Sequence, residues 1–207
     1  MAYNREEYEN HSADKATVFE KVTNHILSGD KDSAKNTIIE EYPFIPIKHA
    51  KRSYTVEEKM EQFLKDGFID RYSGERLVNP GIFKVLSNYF PEEFPYHPHG
   101  KTTEAHIAYW EMFPTIDHKQ AIAKGGEDEK SNWVTTSMLK NGAKSHWTLE
   151  QLQWEIYDPG NLSDWDGLTG KFIAIVENDA QNLLADAYIK RWYDASKKLY
   201  RVPNGKS

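Results

Sequence analysis

Residues 115–145 read TIDHKQAIAKGGEDEKSNWVTTSMLKNGAKS. An Asp-His pair, Asp117-His118, follows an apolar, aromatic approach over residues 107–116 that should lead into a strand. Lys124-Gly125-Gly126-Glu127-Asp128 is a turn rich in glycine and charge. Asn132 then opens a β-prone run, Trp133-Val134-Thr135-Thr136, and Asn141 sits where a helix should begin. Lys144 lies three positions on, on the same helical face. The pattern predicts strand, loop, strand and helix, with polar residues 14 and 9 positions apart brought to one place. Adjacent strand residues point to opposite faces, so Asp117 and His118 share a site only where the strand ends or is distorted.

These residue types suit phosphodiester hydrolysis. The diester's negative charge repels a nucleophile, and its alkoxide leaves poorly. A nuclease therefore needs a base to activate water and positive charge at the leaving oxygen. His118 is the candidate base, because imidazole can be neutral near pH 7. Asp117 and Asn141 offer hard oxygen ligands, which fit Mg²⁺ or Mn²⁺. Asn132 can hydrogen-bond the backbone of the intervening loop and so hold His118. Lys144 is placed to contact a neighbouring phosphate.

The order Asp-His, Asn, Asn across strand, loop, strand and helix resembles the HNH, or ββα-metal, endonuclease motif. The run from Asn132 to Ser145, with Lys140-Asn141 and Lys144-Ser145, is especially similar to the HNH domain of RNA-guided CRISPR nucleases. The resemblance covers about thirty residues, and nothing outside it matches the guide-binding parts of those enzymes. It implies His118 as general base, Asn132 as the residue orienting its loop, and Asp117 and Asn141 as metal ligands. It also implies a product with a 5′-phosphate and a 3′-hydroxyl. Tyr72-Ser73-Gly74-Glu75 stands where many members carry the first Cys-x-x-Cys of a structural zinc site. The chain has no cysteine, so no structural zinc is expected, and aromatic packing from Phe68 to Phe113 is expected in its place.

Working outward, the 207 residues allow one elaborated domain or two small ones. Apolar positions Ala16, Val18, Phe19, Val22, Ile26 and Leu27 predict a helix over 13–27, with Ser12 as a cap and Gly29 as a stop. A second helix is expected over 33–42. Lys48, His49, Lys51 and Arg52 form a basic cluster that either touches phosphate, with Lys51 and Arg52 as DNA contacts, or is a solvated linker. Thr55 and Glu58 form a capping box, and Asn79-Pro80 supplies an N-cap and first-turn proline for a helix to about Tyr89. Residues 68–77 read as two short strands around a Ser-Gly turn. His97, His99 and His106 lie close together, but a His-Pro-His loop is usually solvated and no further ligand has matching spacing. Thr148 and Gln151 suggest another capping box, and helices follow over 164–177 and 179–200. The basic end, from Lys190 to Lys206, reads first as charge complementing a helix C-terminus.

The expected fold is α+β: a small ββα-metal core over 67–147, flanked by helical regions over 1–66 and 148–207. Aromatics make up 13% of the chain, enough for a core despite only 39% hydrophobic residues. The net charge of −6 argues against a general nucleic-acid-coating field and makes any contact with DNA local. No apolar run reaches membrane-spanning length and the N-terminus lacks a signal-peptide core, so a cytoplasmic protein is expected. The expected activity is metal-dependent DNA cleavage in a restriction or defence role, with DNA as partner and a homodimer if both strands are cut. The alternative is a nucleic-acid-binding or partner-docking module without catalysis.

Overall fold

The computed structural model describes residues 15–44 and 53–201. The basic cluster with Lys51 and Arg52, and the cap expected at Ser12, lie outside them. The chain divides into two units, 1–51 with 123–125, and 52–122 with 126–207.

The first unit holds two helices, α1 (Lys15–Leu27) and α2 (Lys31–Glu41). They pack through Val18, Val22 and Ala34. Helix α2 starts two residues before the expected Ser33 because Asp30 is the cap, its carboxylate accepting the Ser33 N–H at 3.0 Å.

The second unit is α+β. Thr55 and Glu58 close their capping box at the start of α3 (Val56–Lys65), and Asn79 caps α4 (Pro80–Tyr89) with Pro80 in the first turn. Over 68–77 the chain makes a hairpin-like turn with a single antiparallel bridge, Ile69 to Arg76. The approach at 107–116 is not extended throughout. It contains a helical turn, α5 (Ala108–Glu111), and becomes strand only at β1 (Pro114–His118). β1 pairs antiparallel with β2 (Trp133–Ser137), His118 facing Trp133 and Pro114 facing Ser137. Ser137 ends β2 and caps α6 (Met138–Lys144), accepting the Lys140 N–H. Thr148 and Gln151 box the short α7 (Leu149–Leu152). Three helices follow where two were expected: α8 (Thr169–Asn178), α9 (Ala180–Leu183) and α10 (Ala187–Leu199). The additional break arises because Asp186 accepts two backbone N–H groups, from Tyr188 and Ile189, and so restarts the helix. Among the described residues there are ten helices and one two-stranded hairpin, and no helix is long and apolar enough to cross a membrane.

A lone two-stranded hairpin is marginal in water. This one is held between α3 and α6, each of which packs against both strands. Helix α10 packs in turn on α3, α4 and α8. Phe63, Phe172, Val176 and Ile189 are fully buried there, each contributing roughly 1.5–3 kcal/mol of apolar burial. Because α3 is built into this core through Met60 and Phe63, it belongs with the hairpin rather than with α1 and α2.

The outer edge of β2 is closed by carboxylates instead of a third strand. Asp66 Oδ2 accepts the Thr135 N–H at 2.7 Å, and Arg71 N–H donates to the Thr135 carbonyl at 2.9 Å. Asp70 accepts the Ser137 N–H at 2.8 Å and the Thr136 hydroxyl at 2.9 Å. An unpaired edge would leave these buried groups unsatisfied. The expected aromatic cluster is also present: Phe83 contacts the rings of Phe94, Tyr109 and Phe113 at 5.2–6.0 Å between centroids. The Tyr72-Ser73-Gly74-Glu75 turn is braced by rings as well as by polar bonds, Tyr72 contacting Trp154 at 5.6 Å between centroids. Asp70 also accepts the Tyr72 N–H at 2.9 Å.

Candidate functional site

β1 ends at His118, which resolves how two neighbouring residues are used. Asp117 and His118 point to different surroundings. The Asp117 carboxylate lies between Tyr72 and Lys144. Its Oδ2 accepts the Tyr72 hydroxyl at 2.7 Å and pairs with the Lys144 ammonium at 2.9 Å. Burial, and then the Asp117 charge beside it, hold the Tyr72 phenol well above its usual range, so it remains a donor.

Lys144 is not on the surface. Its side chain is 0% exposed, and besides the ion pair it donates to the His118 carbonyl at 2.8 Å. The sequence reading as an exposed phosphate contact therefore gives way to an internal counter-charge. The cause is local: α6 is only seven residues long and packs on both strands, so its last turn faces β1. A buried carboxylate there requires a partner.

Asn141 also faces β1. Its amide nitrogen donates to Thr115 Oγ1 at 2.6 Å and to the Ile116 carbonyl at 3.3 Å. Thr115 and Asp117 lie on one side of the strand, two residues apart. Asp117 and Asn141 thus share a neighbourhood, and each has an oxygen, Oδ1, that makes no hydrogen bond among the described residues. Neither oxygen is sealed from solvent, since among the described residues no buried side-chain oxygen or nitrogen lacks a partner. One carboxylate oxygen and one amide oxygen, both hard ligands, suit a divalent cation that keeps most of its waters. Among the described residues no group of three or more His, Asp or Glu side chains is arranged to hold a metal. Any cation here would rest on Asp117, Asn141 and water.

His118 is 1% exposed and faces the loop between the strands. Its Nε2 lies 2.8 Å from Asp128 Oδ1 and 3.4 Å from the Tyr54 hydroxyl. The same Asp128 oxygen accepts the Tyr54 hydroxyl at 2.8 Å and the Trp133 indole N–H at 2.9 Å. Burial acts to raise the Asp128 carboxyl, but the hydrogen bonds from His118, Tyr54 and Trp133 outweigh it, and the group titrates below its ordinary value. Tyr54 stands just before α3, with its ring edge-on to Trp133 at 4.8 Å.

Asn132 ties this loop together. Its side-chain oxygen accepts the Gln120 N–H, and its nitrogen donates to the Gln120 and Glu127 carbonyls, all at 2.9 Å. Gln120 lies two residues beyond His118. Gly126 is required for the loop to close, because a Cβ there would stand 2.0 Å from the Gln120 carbonyl oxygen. Asn132 thus reaches both ends of the loop that carries Asp128.

Two residues of this site were not singled out from the sequence. Asp128 was read as part of a turn. Its DEK setting gives no signal beyond a solvated charge run. Tyr54 is 64 residues from His118 and is brought to it only by the packing of α3. The other candidates are placed elsewhere. His97 Nδ1 accepts the His99 N–H at 3.1 Å, and the His106 ring stacks on Phe94 at 4.3 Å. Lys190, Lys197 and Lys198 pair with Asp194, Glu177 and Glu57, all at the surface, as expected for a solvated helical face.

No known protein family, curated protein or solved structure matches this chain.

Proposed function

We propose that the chain is a metal-dependent endonuclease of the HNH, or ββα-metal, type that hydrolyses DNA phosphodiester bonds in a restriction or defence role. One observation carries the reading. A hairpin whose first strand ends in Asp117-His118 runs through an Asn132-tied loop into β2 and then α6, which turns Asn141 back onto the first strand. Asp117 and Asn141 would hold Mg²⁺ or Mn²⁺ through their Oδ1 atoms. The cation, when bound, supplies positive charge at the phosphate and the leaving oxygen. His118 supplies the imidazole that takes a proton from water. Asn132 fixes the backbone on which His118 sits. Lys144 pairs with Asp117 and ties it to the His118 carbonyl.

The test is plasmid cleavage in Mg²⁺ and in Mn²⁺. The wild-type protein should nick supercoiled DNA, and His118→Ala should lose at least about a hundredfold in rate while keeping its circular dichroism spectrum. A wild-type protein that leaves the plasmid intact in both metals, or a His118→Ala variant that cuts equally well, overturns the proposal. Discrete fragments would support the restriction role, whereas degradation of any DNA would mark a non-specific nuclease. One such site cuts one strand, so double-strand breaks point to a homodimer.

The alternative, a nucleic-acid-binding or partner-docking module without catalysis, has its own observation. His118 is 1% exposed and its Nε2 is engaged by a carboxylate. DNA binding without metal-dependent cleavage would select it.

A further inference from the structure

We infer that Tyr54, Trp133 and His118 form a niche for one anionic oxygen of a nucleic-acid phosphodiester, and that Asp128 fills this niche when no phosphate is bound. The inference rests on the nuclease reading only in that the niche includes the proposed base.

Three donors from three parts of the chain converge on a single oxygen. The Tyr54 hydroxyl comes from the approach to α3, the Trp133 indole N–H from β2 and the His118 imidazole from the end of β1. Asp128 Oδ1 receives them at 2.8, 2.9 and 2.8 Å. Such convergence on one acceptor-only oxygen is what a phosphate oxygen also requires. His118 and Trp133 sit on the paired strands, and Tyr54 stands just before α3. The Tyr54 and Trp133 rings are in edge contact at 4.8 Å, and Trp133 is buried within the paired hairpin. The acceptor, by contrast, is carried by an exposed loop and its side chain is 41% exposed. The donors come from the more buried side of the contact, and the acceptor comes from the exposed loop.

The contact also has a chemical consequence. A carboxylate oxygen only accepts, so its hydrogen bond with His118 requires a hydrogen on Nε2. While Asp128 is in place, that nitrogen cannot take a proton from water. Capping by Asp128 and base action at Nε2 are mutually exclusive. A substrate phosphate must displace Asp128, because both anions claim the same three donors. The apparent affinity for phosphate is then reduced by the fraction of molecules that are capped.

The test measures anion binding without metal, so that it does not depend on cleavage. Inorganic phosphate, and separately a short DNA duplex, would be titrated into protein in EDTA while following the Trp133 indole N–H resonance. Asp128→Ala and the shape-conserving Asp128→Asn should each bind about tenfold more tightly than wild type. Glu129→Gln, which removes a neighbouring charge outside the niche, should change binding less than about twofold. Adding Tyr54→Phe to Asp128→Ala should remove most of the gain. If the Asp128 variants bind no more tightly than Glu129→Gln, the proposal is wrong. It is equally wrong if Asp128→Ala leaves phosphate binding unchanged and slows cleavage, for then Asp128 orients the base. Tighter binding of both probes by protein that never cuts DNA would uphold the niche and remove the nuclease reading.

Discussion

Asp66 and Asp70 can be set beside Asp117 and Asp128. All four carboxylates lie within the same unit, and each accepts two or three donors. The first pair uses both of its oxygens. Asp66 gives Oδ1 to Arg71 and Oδ2 to Gln62 and the Thr135 N–H. Asp70 gives Oδ1 to Tyr72 N–H and Thr136, and Oδ2 to Ser137 N–H. The second pair concentrates every described contact on one oxygen, Oδ2 of Asp117 and Oδ1 of Asp128. A saturated carboxylate can only hold structure together. A half-used one retains an acceptor for something that arrives later. The difference separates the brace of β2 from the candidate site better than burial does, since Asp117, Asp66 and Asp70 are all buried.

The largest effect should come from the saturated pair. Asp70→Ala strands two backbone N–H groups and the Thr136 hydroxyl in a site that is 0% exposed at Asp70 itself. Each orphaned donor costs roughly 1–3 kcal/mol, so a loss of about 5 kcal/mol is expected, enough to unfold much of a typical domain. Urea denaturation reads this directly. A loss below about 2 kcal/mol would mean that Asp70 is not the brace it is taken to be.

Lys144 and Asp117 come next. Lys144→Met leaves the Asp117 carboxylate buried without its counter-charge, which should cost about 3–5 kcal/mol. Adding Asp117→Asn should recover at least half of that, because the stranded charge is then gone. Additive losses in the double variant would show that the two groups act independently. Unlike Asp70→Ala, the double variant should refold and yet bind no divalent cation at the site. The saturated and half-used carboxylates would thereby be separated by experiment, one failing in stability and the other in metal binding.

The contrast also explains what the sequence made legible. Local signals carried well. The capping boxes at Thr55 and Thr148, the Asn79-Pro80 helix start and the strand-loop-strand-helix order all depend on residues within a few positions of each other, and the structure has them. Asn132's bonds to loop backbone follow equally from its place beside a glycine turn. Contacts at long separation were not legible. Asp66 reaches Thr135 across 69 positions, Asp70 reaches Thr136 across 66, and Tyr54 reaches Asp128 across 74. Nothing in the local pattern distinguishes an Asp that will brace a strand from one in a solvated turn. Lys144 shows the same limit from the other side. Helical periodicity put it on the face of Asn141, but only the packing of α6 against the hairpin decides whether that face meets solvent or a carboxylate.

Asp186 provides the mildest comparison, because it is saturated like Asp70 but sits near the surface. Its Oδ1 accepts the Tyr188 and Ile189 N–H groups at the start of α10, and Oδ2 lies 3.5 Å from Lys84 and from Asn88. Burial acts to raise its carboxyl, but the backbone N–H groups of Ile189 and Tyr188, and then Lys84, outweigh it, so the group titrates below its ordinary value. A carboxylate depressed on folding contributes stability that is fully present above its unfolded pKa of about 3.9 and is lost as pH falls through the lower folded value. Asp186→Ala should therefore cost about 1 kcal/mol at neutral pH, and the gap from wild type should narrow as pH drops below about 4. Paired urea titrations across that range test the sign. A gap that widened on acidification would mean that the protonated carboxyl is the better cap. Asp186 would then owe its place to packing, and using both oxygens would no longer be a sufficient mark of a structural carboxylate.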